Sequence, residues 1–238
     1  MSNEVTFIGL TVAALSIAFF HTVTGPDHYL PFIMIAKARQ WSFRKTFLLT
    51  MGCGVGHVLS SIVIGIIGIV FGVVLNKLEW LEGVRGSLAA WVLISFGLVY
   101  MAWGIKRALR NRKHEHRHEH EDGNLHSHTH SHHNSHSHLH LDKKSNITPW
   151  SLFIIFVLGP CEPLIPLLMA PASQGSYMLA VWVAVIFSVV TLVTMLGIVT
   201  FSYFGLKQFS FKRMERYSHA LAGGSILCCG LAIQFLGL

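Results

Sequence analysis

Residues 25–36 read GPDHYLPFIMIA and residues 159–170 read GPCEPLIPLLMA. Aligned without gaps, the two stretches share the Gly-Pro pair, a leucine (Leu30, Leu164) and a closing alanine (Ala36, Ala170). Directly after each proline stand two side chains able to ligate a metal: Asp27 and His28 in the first, Cys161 and Glu162 in the second. Proline removes a backbone donor and clashes with the preceding turn, and glycine adds backbone freedom that a helix must then lose. One such pair in an apolar run reads as a packing kink. Two in register, each followed by ionisable groups, read as a pair of interrupted helices. Where no water reaches, a broken helix strands polar groups at several kcal/mol each, so it survives only inside protein or beside a wet cavity.

The rest of the chain puts these motifs in a membrane. Of 238 residues, 52% are apolar and 12% charged, and mean hydropathy is +0.53. Soluble domains carry roughly a quarter charged residues, so an ordinary soluble domain is excluded. Six apolar runs approach the roughly 20 residues that a spanning helix needs: 5–35, 46–75, 87–107, 149–171, 177–206 and 216–237. The first lacks a basic leader and a small-residue cleavage site, and so reads as a retained helix.

The net charge of +7 does not imply nucleic acid, because the bases cluster at the ends of apolar runs. All but Lys77 and Arg85 fall on one side, in the connections after spans one, three and five. Basic loops stay in the cytoplasm, which predicts an inner-membrane protein with both termini outside. The expected fold is all-α: six transmembrane helices in two inverted three-helix repeats, 1–110 and 149–238, with helices 1 and 4 broken. A disordered cytoplasmic loop, 111–148, joins them. Four cysteines at no disulfide-like or zinc-finger spacing argue against a disulfide framework.

Five ionisable groups sit in apolar surroundings: His21, Asp27, His28, His57 and Glu162. A charged aspartate at membrane depth costs about 2.5 kcal/mol or more. With no intramembrane Lys or Arg expected to pair these groups, they are read, with Cys161, as ligands for a cation. Thr191, at the offset of His57 in the second half, is its weaker counterpart. Imidazole, carboxylate and thiolate suit nickel, cobalt or zinc rather than magnesium or calcium. A second signal is the loop's run of histidines at 114, 116, 118, 120, 126, 128, 130, 132, 133, 136, 138 and 140. Its composition builds no core, and neutral imidazole is the commonest metal ligand. The loop is read as a cytoplasmic metal-capture device.

At HTVTGPDH (21–28) and GHVLSS (56–61) the chain resembles the nickel/cobalt transporter superfamily, in its UreH-like and RcnA-like transmembrane branch. The paired Gly-Pro motifs also resemble the wider LysE- and DsbD-type two-repeat membrane proteins. Nickel permeases carry His-(x)4-Asp-His in an early helix; here His21 and Asp27 lie one residue further apart. The resemblance implies transport of Ni²⁺ or Co²⁺, with Asp27, His28 and His57 as ligands. Its histidine-rich loop is closer to the efflux branch. It further implies a metallochaperone or urease-type metalloenzyme as partner and no prosthetic group.

Three other readings remain: a transmembrane thiol/disulfide electron carrier, an anion or amino-acid exporter of the same layout, and a membrane metal chaperone. The first needs a thiol in each half, whereas Asp27 stands opposite Cys161. The second places Asp27 and Glu162 where they would repel the anion. There is no G-x-x-x-x-G-K-[ST] nucleotide motif, so a carrier driven by an ion gradient is expected rather than an enzyme.

Overall fold

The computed structural model describes residues 2–110, 114–119, 125–130, 147–208 and 215–237. Among the described residues are eight α-helices: α1 (Ser2–Thr24), α2 (Leu30–Ala38), α3 (Phe43–Val70), α4 (Leu75–Arg110), α5 (Ile147–Leu158), α6 (Leu164–Ser173), α7 (Tyr177–Gln208) and α8 (Ser218–Leu236). Five of them, α1, α3, α4, α7 and α8, are long and apolar enough to cross a bilayer. Many large apolar side chains point outward, among them Val99, Val193 and Phe201. Such a surface suits a lipid solvent and no aqueous one.

Both Gly-Pro pairs end helices. The last ladder bond of α1 runs from Gly25 N to His21 O at 3.0 Å. Pro26 cannot donate the next one, and the chain tightens into a single 3₁₀ turn, Pro26–His28, before α2 begins. Pro31 falls in the first turn of α2, where a missing N–H costs nothing. In the second half α5 stops after 12 residues at Leu158 and α6 resumes for 10 from Leu164. The expected span 149–171 is therefore two short helices.

The third span was expected over 87–107, but α4 starts at Leu75. Lys77 and Arg85, expected in a loop, ride on this helix. The polar residues between 75 and 87 lower the hydropathy without breaking the helix, because glutamate, lysine and arginine are good helix formers.

The cores lie on either side of the breaks. One gathers Phe32, Ile35, Leu152, Phe156 and Met195 around α2 and α5. The other gathers Ala18, Val58, Leu164, Leu168 and Phe187 around α1, α6 and α7. Helices α4 and α8 cross antiparallel on glycines. A Cβ on Gly97 would come within 2.5 Å of the Leu227 nitrogen, and one on Gly223 would collide with the Met101 backbone. Small residues at such crossings let backbones approach where no hydrophobic effect drives helices together.

Within the 111–148 stretch expected to be disordered, the described residues include two antiparallel paired strands, β1 (His114–Glu119) and β2 (Leu125–His130). The alternation of histidine with other residues has the period of a strand, which composition alone conceals. Register sets His114 opposite His130, His116 opposite His128 and His118 opposite His126. The expected capture residues His120, His132, His133, His136, His138 and His140 lie outside the described residues.

The α4–α8 crossing leads to a stability prediction. Gly223→Ala forces backbone against backbone and should destabilise the detergent-solubilised protein by about 1–3 kcal/mol. Gly9→Ala, with nothing within 4 Å of its Cβ, should leave the thermal midpoint unchanged. Equal midpoints for the two variants would refute the tight crossing.

Candidate metal centre

The first break folds an imidazole back over itself. His28 Nδ1 lies 3.0 Å from Gly25 O and 3.2 Å from Asp27 Oδ1. A carbonyl only accepts, so Nδ1 carries the proton and donates, and in the neutral ring Nε2 keeps its lone pair. Only glycine fits beneath this ring, because a Cβ on residue 25 would sit 2.5 Å from His28 Nδ1. The same break closes its other backbone groups locally: Tyr29 Oη donates to Val23 O at 3.1 Å, and His28 N to Gly25 O at 3.1 Å.

The second break is approached by α3. His57 Nδ1 donates to Phe156 O, in the last turn of α5, at 3.2 Å. This fixes the same tautomer as in His28, with the lone pair on Nε2. Metal-binding histidines are commonly held this way, by a carbonyl or carboxylate on the other nitrogen. The three rings form a row, with His21 to His28 at 4.9 Å and His28 to His57 at 5.1 Å between centroids, both edge to face. Nε2 of His21, His28 and His57 are all buried without a hydrogen-bond partner. Orphaned buried polar atoms are rare and costly, and here three belong to one row of rings.

Cys161 completes the group. One ligand atom each from His21, His57 and Cys161 lies within 4.8 Å of the others. His21, Asp27, His28, His57 and Glu162 all line a cavity of about 500 Å³, whose wall includes Ser87 and Gln234 from α4 and α8. Asp27 is about a quarter exposed, at 27%. Glu162 is exposed and sits beside Gly86 rather than against the imidazoles. Thr191 is fully buried and its hydroxyl has no partner. Six of the expected ligands thus fall around the two breaks, with Glu162 on the cavity wall away from the histidine row.

Two residues of the site escaped the sequence reading. Glu82 is fully buried, with an ion pair to Arg85. Arg85 also donates to Ser60 Oγ at 2.8 Å, to Gly159 O at 2.9 Å and to Val157 O at 3.1 Å. Arg85, expected in a loop, is thus partly buried, but it pairs with Glu82 and with none of the five expected ionisable groups. The signal lay in the i, i+3 spacing of Glu82 and Arg85, obscured because 75–86 read as a loop.

The family model describing the transmembrane region of cytochrome c biogenesis proteins matches residues 12–232. The chain belongs to this family. No curated protein and no solved structure matches it. Family membership fixes a multi-pass membrane protein and agrees with the DsbD-type side of the resemblance. It carries no evidence for a nickel/cobalt branch. All four cysteines are free, Cys53 on α3, Cys228 and Cys229 on α8, and Cys161 beside His21 and His57.

A cation held by these groups should bind more weakly, with the bundle still folded, when one imidazole is removed. His28→Ala and His57→Ala should each lower Ni²⁺ or Co²⁺ affinity at the membrane site by about 10- to 100-fold, as loss of a ligand or its support commonly does. Glu162→Ala should change it little. Titration calorimetry of the purified variants gives the comparison, and unchanged affinity in both histidine variants would remove them from the site.

Proposed function

We propose that this chain is a carrier for a divalent transition-metal cation, nickel or cobalt before zinc, which passes through the site between the two broken helices. The observation that carries the proposal is the row of three imidazoles with buried, bare Nε2 atoms, of which His21 and His57 lie beside the Cys161 thiol. A borderline cation takes this donor set, while magnesium and calcium prefer oxygen shells.

The proposed architecture is six spans in two inverted three-helix repeats, α1/α2 to α4 and α5/α6 to α8. Packing that exchanges the halves supports it: α1 lies on α7 as α5 lies on α3, and α4 crosses α8. The proposed orientation has both termini outside and the histidine-rich connection in the cytoplasm of an inner-membrane protein. There the histidines of the 114–140 stretch would gather metal for export. A metallochaperone or metalloenzyme is the fitting partner on that face. Metal release would follow protonation, since a protonated imidazole has no lone pair to offer. Binding should accordingly weaken as pH falls, and an imposed proton gradient should drive uphill movement.

The second reading is a transmembrane thiol/disulfide carrier, and the family match favours it. Cys161 would then form a reversible disulfide during turnover. Against it stand Asp27 at the aligned position and histidines where a second thiol is needed. Cysteine labelling under oxidising and reducing conditions separates the two: a redox carrier shows a reversible Cys161 disulfide, a metal carrier does not.

Cellular nickel, cobalt and zinc contents, with and without the protein, test transport directly. Export predicts lower content and higher tolerance for the cargo metal, with the difference abolished by Asp27→Ala or His28→Ala and only reduced by deleting 114–140. Indistinguishable contents for all three metals would contradict the proposal.

A further inference from the structure

A helix break needs its stranded groups satisfied, and the first break does this with its own residues. The second break instead imports two charges from α4. The Arg85 guanidinium meets a carboxylate, a hydroxyl and two backbone carbonyls: Glu82, Ser60 Oγ, Val157 O and Gly159 O. Ser61 Oγ donates to Glu82 Oε2 at 3.3 Å and accepts from Cys161 N at 3.1 Å. The backbone on both sides of Pro160 is thus tied to one network, through Gly159 O and Cys161 N.

The other end of the network fixes what this does. Ser60 and Ser61 lie one turn beyond His57 on α3, and Ser60 Oγ donates to His57 O at 2.7 Å. The same turn of α3 that presents His57 therefore grips the residue that presents Cys161. An ion pair with a fully buried carboxylate costs desolvation that well-packed apolar side chains would avoid. Simple closure of the break does not require it, as the first break demonstrates. What the pair adds is a fixed relation between α3, α4 and the Gly159–Cys161 backbone.

We infer that Glu82 and Arg85 are positioning residues that hold the Cys161 thiol against His57, so that the site offers sulfur as well as nitrogen to a borderline metal. The inference rests on the metal-carrier reading and deepens it. Sulfur ligation depends on the network, whereas the His21 and His28 imidazoles do not touch it. Sulfur in the ligand set also favours nickel, cobalt or zinc over manganese or magnesium.

The test is optical titration of the purified full-length protein with Co²⁺, following the sulfur-to-cobalt charge-transfer band. The histidine loop contains no cysteine and contributes nothing to that band. Wild type should show it and Cys161→Ser should lose it. Arg85→Gln and Glu82→Gln should lose the band, or need about tenfold more Co²⁺ to reach it, with Arg85→Lys recovering part. Ser61→Ala removes one hydroxyl and no charge, and should shift the titration in the same direction with the thermal midpoint preserved. Bands of equal strength at equal Co²⁺ in wild type, Arg85→Gln and Ser61→Ala would overturn the positioning role while leaving the metal site intact. A wild type without the band would overturn sulfur ligation and the positioning role with it.

Discussion

The bundle depends on one constraint: backbone groups released by a broken helix must find partners before the break can lie among apolar helices. Each unsatisfied group in such surroundings costs several kcal/mol, comparable to a good part of a domain's net stability. The two breaks meet the constraint differently. At Gly25-Pro26 the chain turns on itself, and His28 and Tyr29 supply the donors. At Gly159-Pro160 the donors come from Arg85, and Ser61 accepts from the Cys161 amide. The first solution spends the Nδ1 protons of its own histidine and leaves Nε2 bare. The second leaves the Phe156 carbonyl to orient His57, with the same result.

A scaffold of this family does not dictate its chemistry, which resides in the side chains at the two breaks. A thiol carrier needs two thiols that can meet. This chain instead sets His21 and His57 beside Cys161, and His28 beside Asp27. Under the proposed reading the same crossing of broken helices has changed its cargo from electrons to a cation. The acids at the cavity, Asp27 and Glu162, suit the approach of positive charge and oppose an anion.

Much of this was legible in the residues. Gly-Pro at 25 and 159 named both breaks, because proline's missing donor acts locally whatever the tertiary context. Asp27, His28 and Cys161 were singled out by their adjacency to those prolines, and His21 by its apolar surroundings. His57 needed only its depth in an apolar run. Glu82 and Arg85 were missed because hydropathy averages over a window, so a polar first third of α4 reads as loop, and because a buried pair cancels its own charge. The strand pairing of 114–119 with 125–130 was missed for another reason. Composition ignores order, and the strand signal there is the alternation itself.

X-ray absorption at the metal edge, on the full-length protein loaded with one equivalent of Ni²⁺ or Co²⁺, tests the convergence of the two breaks most directly. The account predicts a mixed shell of imidazole nitrogens with one sulfur, the sulfur disappearing in Cys161→Ser and the imidazole count falling in His57→Ala. A shell of nitrogen and oxygen alone in wild type, unaltered by either substitution, would contradict it.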